Sequence, residues 1–230
     1  MNIQFVDPFL VLVLLLNFFL LVVSRMRPMI TAVAVQGILL GVIYPIAHQG
    51  LHAAASPEES VMDARLSFVR LLLLTFAMIS IKGIVIPRLL FRAVREVKIG
   101  HQVESLIGFV PTLLIGAVGT GLSIVFAQTL PLTTEHTSLL IVPASLATVF
   151  TGFLILTTRR VVLTQVLGYL VLENGIFIFG LLLVEAMPSL VEVGVLLDLF
   201  VGVFVMGIII YHVSREFPAA SSEHLSALRE

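Results

Sequence analysis

The sequence predicts an all-α fold: a polytopic transmembrane helical bundle of about seven spans, N-terminus outside and C-terminus cytoplasmic. Three observations carry that prediction. The first is composition: 59% of the 230 residues are apolar, 12% are charged, and the mean hydropathy is +1.14. A soluble domain is about 45–50% apolar and about 25% charged. The second is a series of continuous apolar runs, such as LVLVLLLNFFLLVV, that show no strand-like alternation. The third is a one-sided distribution of basic residues between those runs.

A bilayer core of about 30 Å needs about 20 mostly apolar residues per helix. The segments that meet this run from Pro8 to Ser24, Pro28 to Ala47, Leu66 to Phe91, Gly108 to Gln128, Ser138 to Thr157, Val161 to Val184 and Pro188 to His212. Proline opens or lies near the start of several, where a missing N–H costs least. The start, MNIQFVDPF, has no basic region and no small-residue cleavage site follows, so the first run reads as a retained span. The loop from His48 to Arg65 is acidic, with Glu58, Glu59 and Asp63. The loop from Arg88 to Glu104 is basic and suits an amphipathic helix lying on the membrane surface.

Orientation follows from the loops. Arg25, Arg27, Arg88, Arg92, Arg95, Lys98, Arg159, Arg160, Arg215 and Arg229 fall on one side, and Arg65 alone on the other. The basic side is expected to be cytoplasmic. The whole chain, 1–230, reads as one membrane domain. Residues 1–107 hold the first three spans and the basic loop, 108–137 a linking fourth span, 138–214 a three-helix module, and 215–230 a polar tail. The turn at Arg25 and Arg27 precedes Thr31, Gln36 and Gly37, and the turn at Arg159 and Arg160 precedes Thr164, Glu173 and Gly175. That parallel suggests two related three-helix modules joined by the fourth span.

Composition excludes a soluble enzyme, a disordered chain and a nucleic-acid binder: 13 basic and 14 acidic residues give a net charge of −1. The absence of cysteine excludes disulfides, thiolate zinc sites and protein-ligated iron–sulfur clusters. The sequence offers no catalytic constellation, cofactor motif or metal set of its own. His48 and His52 are four residues apart but lack a third ligand, and His212 closes the last span.

Chemistry must then lie inside the membrane or in partners, and the candidates within the chain are ionisable groups in the spans, each costing about 2.5–3.5 kcal/mol to insert. Glu173 sits halfway along the sixth span. It reads either as a proton or charge relay or as a protonated carboxyl bonded across helices. Asn174 offers amide donors beside it, and Gly168 and Gly175 allow a neighbouring helix to approach closely. Asp198 lies about 15 Å into the seventh span. Glu192 lies near that span's outer end, about 120° away around the helix. Lys82, in ISIKGIVIP, either snorkels toward the inner interface or serves as a mid-membrane cation that alternates acidic partners. Arg70 lies one turn from the outer end and reads as snorkelling. Gly37 and Gly41 form a small-residue packing motif.

The segments TTRRVVLTQVLGYLVLENGIF and PSLVEVGVLLDLFVGVFVMGI together resemble the hydrogenase-4 component E family, membrane subunits of complex-I-related, formate-hydrogenlyase-type complexes. ISIKGIVIPRLL and the tail LSALRE are similar to the same family. The last three spans also look like the K-type subunit of NADH–quinone oxidoreductase and the C-type subunit of multi-subunit sodium/proton antiporters. Arg159, Arg160, Gly168 and Asn174 fit the K-type pattern. Leu170 holds the place of its second-helix glutamate, and Glu173 stands three residues later. Its third-helix glutamate corresponds to Glu192 or Asp198, and Asp198, four residues before Gly202, suits it better.

The resemblance implies a non-catalytic subunit that links antiporter-like subunits to a hydrogenase-anchoring subunit in the plasma (inner) membrane of a prokaryote. Glu173, Asp198, Glu192 and Lys82 would form its proton or sodium relay. The expected partners are those membrane subunits and the lipid bilayer, with no nucleic acid. Two other readings stay open: a purely structural scaffold of such a complex, and a subunit of a cation/proton antiporter without a redox partner.

Overall fold

The computed structural model describes residues 6–52, 61–96, 106–130 and 140–183, with the isolated positions Val193, Gly194, Leu196, Phe200 and Gly207. Most of these residues are helical, and none of them lies in a strand. Apart from those isolated positions, the seventh expected span, with Glu192, Asp198 and His212, and the tail after it lie outside the described residues.

Helix α1 runs over Asp7–Val22, opened by Pro8 in its first turn and by the acidic Asp7 at its positive end. Helix α2 runs over Met26–His52 and continues through Pro45. It is longer than the expected span and leaves a shorter connection to the next helix. Helix α3, Val61–Ser80, passes through one wide π-helical turn, Ile81–Val85, into α4, Ile86–Glu96. Helices α5, α6 and α7 are Phe109–Thr129, Ile141–Thr158 and Val162–Gly180, the last ending in a 3₁₀ turn at Leu181–Leu183. Among the described residues, five stretches are long and apolar enough to cross a membrane: Met26–Ala47, Phe68–Arg95, Phe109–Thr129, Ile141–Thr158 and Val162–Gly180. Helix α1 is apolar but has only 16 residues, about 24 Å of rise.

The basic stretch from Arg88 to Glu96 does not lie on the surface as a separate amphipathic helix. It continues the third span, and α4 buries Leu90, Ala93 and Val94 among residues of α2 and α7. Leu90, Ala93 and Val94 form an apolar face, and packing it into the bundle buries that face.

The α1–α2 hairpin packs against the α6–α7 hairpin, α1 on α6 and α2 on α7. The α3–α4 helix lies on α2, and α5 lies on α6 and α1. Two apolar clusters fill the bundle. One gathers Leu21, Met29, Ile30, Leu90, Ile155 and Leu167 at the end bearing the arginines. The other gathers Leu10, Tyr44, Met78, Ile141 and Ile178 at the opposite end. A layer of polar side chains separates them.

Hydroxyls on the outer helices are satisfied locally. Thr112, Thr120 and Ser123 each donate to the carbonyl four residues back, at 2.9, 2.9 and 2.8 Å. This is how a hydroxyl is accommodated in a helix surrounded by hydrocarbon.

Candidate functional site

The α6–α7 contact sets the depth of the polar layer. A Cβ at Gly168 would lie 2.7 Å from the Leu156 backbone nitrogen, and one at Gly175 2.5 Å from that of Val149. Only glycine lets the two backbones approach this closely. Ser145 on α6 then donates to the Gly175 carbonyl at 3.0 Å. This contact holds the middle of α7, with Glu173 and Asn174, at a fixed height.

The α2–α3 contact sets the other wall. A Cβ at Gly37 would lie 2.7 Å from the Lys82 Cβ. Lys82 stands on the π-helical turn, five residues before Pro87. Proline has no N–H, and its ring clashes with the carbonyl four residues back. Widening the preceding turn, so that the Ile86 N–H bonds the Ile81 carbonyl, relieves that clash.

Between these walls, Lys82 and Glu173 meet. Lys82 Nζ lies 3.5 Å from Glu173 Oε1, with the two side chains 6% and 8% exposed. Lys82 Nζ also donates to Asn174 Oδ1 at 3.0 Å and stands 6.0 Å from the Phe177 ring centroid. The lysine therefore does not snorkel to the interface. Its stem is held against Gly37, and its charge is answered within the layer.

From Asn174 a chain of hydrogen bonds runs across the bundle. Asn174 Nδ2 donates to Gln36 Oε1 at 3.3 Å, and Gln36 Nε2 donates to Asn17 Oδ1 at 3.0 Å. Asn17 Nδ2 donates to Thr148 Oγ1 at 2.8 Å, and Thr148 Oγ1 donates to the Ala144 carbonyl at 2.6 Å. The hairpins thus contribute one polar side chain per helix: Asn17 from α1, Gln36 from α2, Thr148 from α6 and Asn174 from α7. All four are buried. A cavity of about 10 Å³, near the volume one water needs, touches Lys82 and Asn174 and is otherwise lined mainly by Ile30, Val33, Leu90 and Leu170. It lies toward the arginine-bearing end.

A second polar contact closes that end. Arg159, in the extended residue after α6, is 0% exposed. Its Nη2 donates to the Leu21 carbonyl at 2.9 Å, and its guanidinium lies 4.8 Å from the Phe109 ring centroid. Burial pulls its pKa below the usual arginine value. Two carbonyl-rich helix ends, those of α1 and α6, surround it, which favours a cation there. Arg159, counted from the sequence among the loop arginines of the basic side, is thus a buried and packed side chain. The Arg159–Arg160 turn is a packed element, whereas Arg160 is exposed.

Of the residues singled out from sequence, the structure brings together Lys82, Glu173 and Asn174, and places Gly168 and Gly175 against α6. Asp198 and Glu192 lie outside the described residues. Arg70 is exposed. His48 and His52 both fall on α2, and among the described residues no group of three His, Asp or Glu side chains gathers as a metal set would. Asn17, Thr148 and the buried role of Arg159 are additions. Asn17 had a signal, as an amide in the middle of an otherwise apolar span. Thr148 had none, since threonine is common in buried helices.

The fold and this layer define a helical membrane protein with an ion pair buried among its helices. The chain is 32% identical over 196 residues to "Uncharacterized protein Rv0085" of Mycobacterium tuberculosis, covering 84% of this chain and 87% of that protein, and it belongs to the same family. No family model and no solved structure matches the chain.

Proposed function

We propose that this chain is a non-catalytic membrane subunit of a complex-I-like hydrogenase or oxidoreductase, in the plasma membrane of a prokaryote with its N-terminus outside. Its part is to place buried charge in the path of protons or sodium ions and to link antiporter-like subunits to a hydrogenase-anchoring subunit. The observation that supports this reading most is the Lys82–Glu173 pair, two opposite charges 3.5 Å apart and more than nine-tenths buried. Ionisable residues inside a membrane are rare, pair with one another, and mark ion pathways and proton relays. A cavity of about 10 Å³ lies beside Lys82, on the side toward Ile30 and Leu90. Glu192 and Asp198 extend the relay on the seventh span. The apolar groove of about 720 Å³ between α5 and the α6–α7 pair, lined by residues such as Val118, Leu122, Phe126 and Phe153, suits the lateral contact of a linking subunit.

The test is Glu173→Gln in the assembled complex, read in membrane vesicles by ion uptake and by co-purification of the partner subunits. The proposal expects an intact complex with lowered ion uptake. Unchanged uptake with an intact complex would sink it. One observation favours a scaffold instead: Lys82 lies closer to Asn174 than to Glu173, within a chain of bonds that ties four helices together. On that reading Glu173→Gln either spares transport or makes the complex fall apart. Co-purification with antiporter-like subunits alone would move the reading to an antiporter without a redox partner.

A further inference from the structure

The five hydrogen bonds from Lys82 to the Ala144 carbonyl all point the same way. Lys82 as an ammonium can only donate, and the Ala144 carbonyl can only accept. These two ends force the orientation of every group between them. Asn174 must turn its oxygen to Lys82 and its nitrogen to Gln36. Gln36 must then turn its nitrogen to Asn17, and Asn17 its nitrogen to Thr148.

The geometry points to a second arrangement of the same chain, reached when Lys82 is neutral. An amine nitrogen carries a lone pair and accepts a hydrogen bond. Asn174 Nδ2 can then donate to Lys82 Nζ. Gln36 Nε2 donates to Asn174, Asn17 Nδ2 to Gln36, and the Thr148 hydroxyl to Asn17. The bonds between side chains keep their partners and reverse their direction; the bond from Thr148 to Ala144 is the one given up. We infer that Asn17, Gln36 and Thr148 are positioning residues for Lys82. They hold it as a cation in one arrangement, and they report its loss of a proton to α6 in the other.

The proton need not leave the layer for this to happen. Transfer from Lys82 Nζ to Glu173 Oε1 turns an ammonium and a carboxylate into an amine and a carboxylic acid, with no change in net charge. No proton travels along the amides, which do not release one at ordinary pH. What passes along them is orientation. A hydrogen-bond chain with two discrete arrangements is a physical means of coupling distant sites, and here it joins the ion pair to the α1–α6 contact. Among the described residues, a charged group that faces Lys82 is Glu173 from α7. Helix α2 faces it with Val33, Ala34 and Gly37, and α4 with Ile86, Pro87 and Leu90. Tyr44 stands beyond, against Phe177 at 6.1 Å between ring centroids. The inference rests on the proposed relay for its use, but not for its test.

The sequence makes that test clean, because it contains two lysines, Lys82 and Lys98, and three asparagines, Asn2, Asn17 and Asn174. The full-length chain carries Lys98→Arg and Asn2→Gln and is labelled with ¹⁵N in its lysine and asparagine side chains. It is reconstituted into lipid bilayers and followed by solid-state NMR as pH rises. The expected result is that the Lys82 Nζ signal passes from ammonium to amine, and that the Asn17 Nδ2 signal moves with the same midpoint. In Gln36→Met, Lys82 still titrates and Asn17 no longer follows. The inference is overturned if Asn17 stays still while Lys82 titrates in the parent chain, or if Asn17 follows equally well in Gln36→Met. It is also overturned if Lys82 stays an ammonium throughout the range in which the protein stays folded. Should Gln36→Met not fold, the parent titration decides alone. Ion uptake plays no part in these readings, so the coupled chain and the relay can fail separately.

Discussion

Lys82 and Glu173 face each other from the π-helical turn and from α7, with Nζ and Oε1 3.5 Å apart. That distance is longer than the about 2.7–2.9 Å of a charge-assisted hydrogen bond. The pair is a charge contact, and the lysine's shorter bond, 3.0 Å, goes to the neutral Asn174. Each charge is tolerable because the other is there. Breaking a buried pair by removing one partner costs about 3–5 kcal/mol, while replacing both is often near neutral. Glu173→Gln and Lys82→Met are therefore each expected to destabilise the protein by about 3 kcal/mol. The double variant is expected to lose clearly less than the sum. A thermal unfolding series in one detergent measures this, and additive losses would mean that the two charges do not depend on each other.

The close approach of α2 to the lysine makes a second prediction. A Cβ at Gly37 meets the Lys82 Cβ at 2.7 Å, whereas one at Gly121 meets nothing within 4 Å. Gly37→Ala should push the two helices apart and cost about 1–3 kcal/mol, as overpacking does. Gly121→Ala should be neutral, or stabilising by up to about 1 kcal/mol, because alanine is the better helix former. Equal effects from the two would show that α2 and the π-helical turn do not touch as described.

How much of this was readable beforehand depends on what each residue costs when alone. Glu173 and Lys82 stood out because a charge in hydrocarbon demands an explanation. Gly168 and Gly175 stood out beside them. The sequence could not say whether Lys82 reached outward or inward. That is decided by Gly37, on another helix, which leaves room for its stem. Asn17, Gln36 and Thr148 carry no charge, so their cost is small and their partners are set only when the two hairpins pack. The parallel noted between the turns at Arg25 and Arg159 has a physical counterpart: these turns head the two hairpins that share the polar layer. Arg159 was hidden by the same rule that placed it. A basic residue between two spans counts toward orientation, and counting does not distinguish a solvated arginine from a buried one. The excess residue that makes the π-helical turn was present in the spacing but unread. Leu74, Met78, Lys82, Ile86, Leu90 and Val94 are all buried and recur every four residues.

Arg159 yields a prediction about pH. Its guanidinium is buried, and burial lowers its pKa. An arginine still stays charged at working pH, folded or unfolded, so its burial cost does not vary with pH. Arg159→Lys changes that. The ammonium has no planar fork to share between the Leu21 carbonyl and the Phe109 ring, and lysine gives up its proton readily when buried. Its folded pKa then falls below its unfolded value. Between the two values the unfolded chain binds more protons, so stability rises with pH in that window. The variant should lose about 1–3 kcal/mol near neutral pH and recover part of it above about pH 9. Parent and variant melting temperatures measured at a series of pH values would show the difference as a slope present only in the variant. Parallel curves would mean that the side chain at this position reaches water.

The last prediction concerns the origin of the π-helical turn. In an α-helix a row of residues four apart swings about 40° around the axis at each step. The row from Leu74 to Val94 would leave the core before it reached α4. One wide turn takes back much of that drift and lets Met78 and Leu90 both stay buried. Deleting Ile84, which is 41% exposed, should remove the extra residue without removing core, and leave the faces of α3 and α4 where they were. The Pro87 ring would then meet a carbonyl four residues back in a tight α-turn, at a cost of about 3 kcal/mol. Combining the deletion with Pro87→Ala should restore most of that loss. Deleting Leu72, also exposed, at 49%, but on regular α-helix, turns everything after it by about 100° and should abolish the fold. Size-exclusion profiles and melting temperatures of the three variants decide the matter. If the Ile84 and Leu72 deletions behave alike, the wide turn does not carry the surplus residue. If Pro87→Ala gives no rescue, the turn is there for a reason other than the proline.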